Sequence, residues 1–163
     1  MSEVIIDTNV AVIANRQNAN VVISCVDACV LFLTAARNAH VVLIDVGDEI
    51  RAEYAGALQM RRPYELGAQF LIHVLQHQYN PARVRRVPLD KTDAGAFADF
   101  PNTAHLAAFD PSDRKFAALS RKTNVPVTNA TDSDWADHRT ALTANGVVVH
   151  FLCGCTKTKW FKT

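Results

Sequence analysis

The side chains in this sequence best suited to chemistry are carboxylates that follow strand-like apolar runs. Asp7 comes directly after the apolar residues 4–6. Asp132 and Asp134 follow a second apolar run at 125–128. Because the carboxyl ends of neighbouring parallel strands open onto one edge of a sheet, we expect these acids to lie close together.

Two further acids, Glu53 and Asp113, lie in segments with helical patterns between those runs. Several carboxylates within a few ångströms repel one another, which raises their pKa values and opposes folding unless a cation is shared among them. Hard divalent ions prefer oxygen ligands, so the expected cation is Mg²⁺ or Mn²⁺. A carboxylate site with open positions is what metal-assisted phosphodiester hydrolysis requires, and no His or Ser nucleophile is needed.

Apolar periodicity predicts strands that alternate with helices. Strands are predicted at 4–6, 41–44, within 80–102, at 125–128 and at 146–152. Helices are predicted at 21–38, 48–60, 65–78, 114–121 and from about 132 through 141. The alternation indicates one domain spanning 1–163 with a doubly wound α/β fold, in which a mostly parallel sheet carries helices on both faces.

Composition sets limits on the partners of the chain. The 163 residues include 17 Lys and Arg against 16 Asp and Glu, for a formal net charge of +1, so a nucleic acid would have to be held by a local basic patch. The most apolar stretch, 21–36, is interrupted by Ser24, Asp27 and Thr34, and falls short of the ~20 apolar residues of a membrane span. No basic start followed by an apolar run marks a secretory signal, which predicts a cytoplasmic protein without a membrane partner.

The four cysteines are predicted to be reduced, as a cytoplasmic setting requires. Cys25 and Cys29 lie one helical turn apart and are expected to pack as small hydrophobic side chains. Cys153 and Cys155 follow the last predicted strand. A zinc site that combines the two pairs is an open alternative, although CxxxC with CxC is not a common zinc spacing.

Four segments resemble, in their order and spacing, the acidic motifs of PIN-domain nucleases. They are VIIDTN at 4–9, EIRAEY at 49–54, DPSDRKF at 110–116 and TNATDSDW at 128–135, and together they extend over almost the whole chain. The resemblance implies catalytic, metal-ligating acids at Asp7, Glu53, Asp113 and Asp132, an adjoining candidate ligand at Asp134, and supporting residues at Thr8, Asn9 and Thr128.

Two choices within these motifs stay open. Glu49 and Glu53 have i, i+4 spacing on one helix face, and Glu53 is preferred because the family acid usually precedes a bulky residue such as Tyr54. Asp132 and Asp134 are exchangeable, because many relatives place this acid nearer the end of the strand. Helix capping is the alternative explanation for Asp113, Asp132 and Asp134.

The resemblance also implies an activity and partners. It implies an endoribonuclease dependent on Mg²⁺ or Mn²⁺ that cleaves single-stranded RNA by in-line attack, leaving a 5′-phosphate and a 3′-hydroxyl. Such an enzyme can be the toxin of a toxin–antitoxin pair, restrained by an antitoxin protein that fills the acidic cleft, and it can form a homodimer. Five arginines are candidates for a positive rim that grips RNA, namely Arg61, Arg62, Arg83, Arg85 and Arg86.

Two alternative functions follow from the same residues. A non-catalytic PIN-like module would bind RNA or protein without cleavage. A receiver-like signalling domain would use Asp7 or Asp45, but the first strand offers one acid where that function needs a pair. The acid-free tail with Lys157, Trp160 and Lys162 is expected either to contact RNA or to dock on the core or on a partner.

Overall fold

Five short apolar segments form one sheet in which every pair of neighbouring strands is parallel. The computed structural model describes residues 1–163. The strands are β1 (Ser2–Ile6), β2 (His40–Asp45), β3 (Val84–Val87), β4 (Val127–Asn129) and β5 (Val149–Phe151), and their order across the sheet is β3-β2-β1-β4-β5. The prediction of a doubly wound α/β fold is confirmed.

Seven α-helices connect and cover these strands. They are α1 (Thr8–Ala14), α2 (Ile23–Ala39), α3 (Glu49–Ala57), α4 (Leu66–His77), α5 (Arg114–Thr123), α6 (Ser133–Asp137) and α7 (Arg139–Ala144). Short 3-10 turns lie at Ala104–Leu106, Pro111–Asp113 and Lys157–Lys159. No helix combines the length and the apolar character that crossing a membrane would require.

The central strand, β1, marks the point at which the strand order reverses. The chain places β2 and β3 on one side of β1, and β4 and β5 on the other. Right-handed crossovers that leave a central strand in opposite directions put helices on opposite faces of the sheet. The crevice between the carboxyl ends of β1 and β4 is therefore the topological switch point, where such folds bind ligands.

The connection after β1 differs from the prediction of one strand followed by one long helix. A short helix, α1, begins one residue after Asp7, whose carboxylate accepts a hydrogen bond from the Asn9 backbone N–H. This helix is stabilised mainly by packing, since Val10, Ala11 and Ile13 are buried in the core. Seven residues are too few to show a clear helical period, so the pattern did not reveal α1.

The segment after β4 also differs from the prediction. One helix was expected from about 132 through 141, and the structure has two, α6 and α7. The break is at His138, whose φ of −100° and ψ of 8° are not helical. Helix α5 begins at residue 114 as predicted, after a turn in which Asp110 accepts a hydrogen bond from the Ser112 N–H and Pro111 occupies the first position.

A buried tyrosine anchors α3 against the central strand. Tyr54 is fully buried, and its hydroxyl donates a 2.6 Å hydrogen bond to the carbonyl of Ile6. Its ring packs edge-to-face on Phe70 of α4 at 5.2 Å between centroids. Because Ile6 directly precedes Asp7, this bond fixes the helix that carries Glu53 relative to the end of β1.

The prediction of four reduced cysteines is wrong for one pair. Cys25 and Cys153 form a disulfide across 128 positions of sequence, with their Cα atoms 5.0 Å apart. The first turn of α2 lies beside the segment that follows β5. The spacing of the cysteines along the sequence does not reveal this proximity. Cys29 stays a free, buried thiol whose burial raises its pKa to about 12, as expected of a small apolar side chain, and Cys155 is free and exposed.

The C-terminal segment docks on the rest of the chain. Trp160 is buried, and its indole N–H donates a 2.7 Å hydrogen bond to the carbonyl of Gly154. Its own carbonyl accepts from the Val22 N–H, and Phe161 forms an antiparallel bridge with Val21. Of the arrangements expected for this tail, the structure has docking on the core, at the start of α2.

Candidate metal centre

Three carboxylates from distant parts of the sequence converge at the switch point. Asp7 follows β1, Asp113 ends the 3-10 turn before α5, and Asp132 precedes α6. One oxygen from each lies within 4.8 Å of the others. Asp7 and Asp113 are buried, at 3% and 5% exposure, and Asp132 is half-buried. The fold therefore builds an oxygen-only cluster from residues 125 positions apart, which is the geometry expected of a hard-cation site.

Asp7 is held in place by donors on both of its oxygens. Its Oδ1 accepts from the Asn9 N–H at 3.0 Å, and its Oδ2 accepts from the indole N–H of Trp135 at 2.5 Å. Burial, together with the charges of Asp132 and Glu53, raises its pKa from 3.8 to about 7, against the opposing effect of these hydrogen bonds. The orientation of this carboxylate is thus fixed while its negative charge lacks a counterion.

Asp113 has an oxygen with no donor. Its Oδ2 is fully buried and has no hydrogen-bond partner. Burial, and then the charges of Asp7 and Asp132, raise its pKa from 3.8 to about 9. A proton on Asp113 can be shared with Asp132, but once both are ionised nothing compensates the buried charge. An unpartnered buried carboxylate oxygen is costly, and a cation bound among the three acids would remove that cost.

The structure distinguishes the roles of Asp132 and Asp134, the two exchangeable acids after β4. Asp132 caps α6 through the Asp134 N–H, at 2.9 Å, and its other oxygen is free for the cluster. Asp134 points elsewhere, because its Oδ2 accepts from the Asp110 N–H at 2.7 Å and its Oδ1 lies 3.2 Å from Nδ1 of His138. Burial raises the pKa of Asp132. Asp132 therefore belongs to the cluster geometrically, and Asp134 does not.

The structure also separates Glu49 from Glu53. Glu49 is at the surface and pairs with Lys91 at 3.1 Å. Glu53 accepts a 2.5 Å hydrogen bond from the Thr8 hydroxyl and forms an ion pair with Lys115. Its charge contributes to the raised pKa of both Asp7 and Asp113. Glu53 thus lies beside the three-acid cluster, with its own charge already compensated.

Two residues near the cluster have roles that the acidic motifs do not indicate. Lys115 is 8% exposed, and its ammonium binds Glu53 and donates to the Ser112 carbonyl. Trp135 is fully buried and binds Asp7. Both lie inside the acidic motifs DPSDRKF and TNATDSDW. The residue types are the one sequence feature that indicates these roles. A Lys or Trp on a helix that packs on the core needs a polar partner there.

The supporting residues Asn9 and Thr128 act mainly through hydrogen bonds that involve backbone groups. The Asn9 side chain donates to Asn129 Oδ1 at 2.9 Å and accepts from the Ala130 N–H at 3.0 Å. Asn129 Oδ1 in turn accepts from the Asp132 N–H at 3.2 Å, so Asn9 braces the loop that presents Asp132. Thr128 contributes its carbonyl, which accepts from the Asp7 N–H at 3.0 Å.

The five candidate arginines do not form one rim. Arg85 and Arg86 are consecutive in β3 and therefore point to opposite faces of the sheet; Arg85 pairs with Glu3 at 2.7 Å and Arg86 with Asp48 at 3.0 Å. Arg83 precedes β3, at the edge of the sheet opposite the acids. In the loop between α3 and α4, Arg62 pairs with Glu65 at 3.3 Å, and Arg61 is exposed without an ion pair.

Asp45, the other acid considered for a receiver-like site, serves a local role. It ends β2, and its two oxygens accept hydrogen bonds from the Glu49 and Ile50 N–H groups at 3.0 and 2.9 Å. These bonds satisfy the exposed donors at the start of α3. Asp45 is therefore engaged in starting the helix and is not one of the clustered acids.

Comparison of the chain with protein-family models, with curated proteins and with solved structures finds no match. The likeness to PIN-domain nucleases thus rests on the four sequence motifs. The functional argument depends on the cluster geometry, on the unpartnered oxygen of Asp113 and on the chemistry that such donors support.

The raised pKa values predict how stability depends on pH without metal. Asp7 and Asp113 bind protons more tightly in the folded chain than in the unfolded chain, with pKa values of about 7 and about 9. Their contribution to stability is greatest below pH 4 and is lost as the pH rises through those values. We expect the free energy of unfolding in a chelator to fall between pH 5 and pH 8 by several kcal/mol, since each acid contributes about 1.4 kcal/mol for every pH unit over which it is ionised only in the unfolded chain.

Urea denaturation in chelator at several pH values measures this dependence. The matched variant Asp113→Asn removes one of the two acids and should show a flatter profile. A wild-type stability that stays constant or rises over the same interval would contradict the prediction, because it would mean that the acids are not destabilised by burial.

Proposed function

We propose that this protein is a divalent-metal-dependent nuclease that hydrolyses phosphodiester bonds of single-stranded RNA. The observation that carries the proposal is the buried Oδ2 of Asp113, which has no donor and lies in a cluster with Asp7 and Asp132. Three carboxylates brought together at the switch point repel one another, and this repulsion opposes folding unless a cation is shared among them. A cation bound among the three acids would offset this repulsion and so explain why the fold brings them together.

The donor set fits Mg²⁺ or Mn²⁺. All candidate ligand atoms are carboxylate oxygens, and three protein ligands leave other positions open. When bound, such an ion supplies Lewis acidity toward a phosphate and lowers the pKa of water enough to provide hydroxide near neutral pH. The choice of single-stranded RNA as substrate rests on the motif resemblance.

The residues around the cluster have distinct roles in this proposal. Asp7, Asp113 and Asp132 hold the ion, and the Trp135 indole keeps Asp7 in one orientation. Glu53, tied to Thr8 and Lys115, is the fourth acid at the side of the cluster. Lys115, which is buried, holds Glu53 in place beside the cluster.

The proposal predicts a large response to metal in the wild-type protein. Saturating Mn²⁺ at pH 8 should raise the melting temperature, because an ion that binds only the folded state stabilises it by about 2.7 kcal/mol at one hundred times its Kd. The same Mn²⁺ should permit cleavage of a labelled single-stranded oligoribonucleotide, and a chelator should abolish both effects. The variant Glu49→Gln, which changes an acid outside the cluster, should behave as wild type.

One result would favour the alternative function, and another would reject the metal centre. Oligoribonucleotide binding without metal-dependent turnover would support a non-catalytic PIN-like module. No change in melting temperature with Mn²⁺ or Mg²⁺ would reject the metal centre. The antitoxin partner and the homodimer are further predictions of the motif resemblance, to be tested by co-purification and by the mass of the protein in solution.

A further inference from the structure

A second cluster of ligand-type side chains differs in chemistry from the cluster of acids. Cys25 and Cys29 occupy successive turns of α2, and Cys153 follows β5. The three sulfur atoms lie within 4.8 Å of one another. Since residues 25 and 153 are 128 positions apart, the fold and not a local sequence motif creates this cluster.

The disulfide uses only two of the three sulfurs. Cys25 and Cys153 are bonded, while Cys29 is free and fully buried beside them. A structural disulfide needs no third sulfur at this distance. Reduction would leave three thiols at one point, and sulfurs bound to one Zn²⁺ at about 2.3 Å stand roughly 3.8 Å apart in tetrahedral geometry. The observed spacing is compatible with such a site after a small adjustment.

We propose that Cys25, Cys29 and Cys153 form a redox-gated site for a soft divalent ion of the zinc class. The disulfide closes the site, and reduction opens it. A dithiol reductant delivers two electrons and two protons to the Cys25–Cys153 bond and itself becomes a disulfide. Binding of the ion then displaces the three thiol protons, so three S–H bonds are exchanged for three sulfur–metal bonds.

A cavity borders two of the three cysteines, Cys25 and Cys153. It has a volume of about 250 Å³ and is lined by Val22, Ser24, Cys25, Leu152, Cys153 and Lys159. The cavity provides a path from solvent and room for water as a fourth ligand. Lys159 also lines this cavity, and a lysine close to a cysteine favours the thiolate. Because this site offers sulfur where the other cluster offers oxygen, the two should select different ions.

Titration with Cd²⁺ tests the proposal on the whole chain. Protein reduced with dithiothreitol, and freed of it without air, should develop sulfur-to-cadmium charge-transfer absorption that saturates at one equivalent. Untreated, disulfide-bonded protein should show none. Cys29→Ser should weaken Cd²⁺ binding by about 100-fold or more, since even substitutions outside the ligand shell cost 10–100-fold.

Two control variants separate this site from its alternatives. Cys155→Ser removes the free cysteine outside the cluster and should leave the absorption unchanged. Asp113→Asn should also leave it unchanged, because a carboxylate gives no sulfur band. Absence of the band in reduced wild type, its persistence at full strength in Cys29→Ser, or its loss in Cys155→Ser would each overturn the proposal. The wild-type comparison of reduced and oxidised protein decides the matter even if Cys29→Ser does not fold.

Discussion

Asp113→Asn is expected to reduce Mn²⁺-dependent RNA cleavage by about 10³-fold or more, which corresponds to roughly 4 kcal/mol of lost transition-state stabilisation. The substitution keeps the shape of the side chain and removes its charge. Oδ2 of Asp113 has no donor in the structure, and the amide group of asparagine can still donate a hydrogen bond to Asp132. In chelator at pH 8 the variant should therefore be more stable than wild type, by about 1–2 kcal/mol.

The combination of lost activity and gained stability distinguishes a metal ligand from a structural acid. Activity is measured with the labelled oligoribonucleotide, and stability by urea denaturation. Asp7→Asn makes a useful comparison, because an amide has one acceptor oxygen where two donors, the Asn9 N–H and the Trp135 indole, now bind. We expect that variant to lose activity and also about 1 kcal/mol of stability. Retention of more than a tenth of wild-type cleavage by Asp113→Asn would exclude Asp113 from the mechanism.

Loss of the Cys25–Cys153 disulfide is expected to lower the free energy of unfolding by about 4 kcal/mol, because the bond closes a very long loop in the unfolded chain. Cys153→Ser, studied by urea denaturation in chelator, measures this contribution. The C-terminal segment should loosen first, since the disulfide lies next to its docking contacts.

Cys155→Ser is the matched control for the disulfide, because it changes a cysteine of the same segment that is exposed and unpaired. Its stability should lie within about 0.5 kcal/mol of wild type. If Cys153→Ser cost no more than that control, the bond would not constrain the chain as the structure indicates. Reduction of the wild type in chelator should reproduce most of the effect of Cys153→Ser.

The positions of the acids at strand ends were predictable because they depend on a rule about parallel sheets. Asp7 and Asp132 follow strands that neighbour each other at the switch point, and topology alone brings them to one edge. Asp113 was open to a capping interpretation, yet its turn is capped by Asp110, which leaves the Asp113 side chain free to face the cluster. The geometry of the turn, invisible in the sequence, makes that distinction.

Features that depend on three-dimensional proximity were not predictable. The disulfide joins residues from α2 and from the segment after β5, and the assumption of a reducing environment argued against any bond. Arg85 and Arg86 appeared as part of a basic run, but strand alternation sends them to opposite faces. The sequence favours a solvated Lys115, because charged helix residues usually face water, whereas this one is buried against Glu53.

The contact between Trp135 and Asp7 gives the molecule an optical reporter of its own. Indole emission responds to nearby charge, and this indole donates its N–H directly to the clustered carboxylate. Arrival of a cation, or departure of a proton, therefore changes the electric field across the ring. The chain has two tryptophans, and the other, Trp160, lies in the C-terminal segment, where it binds Gly154. With Trp160 replaced by phenylalanine, ion occupancy can be read from the fluorescence of unlabelled protein with no nucleic acid present.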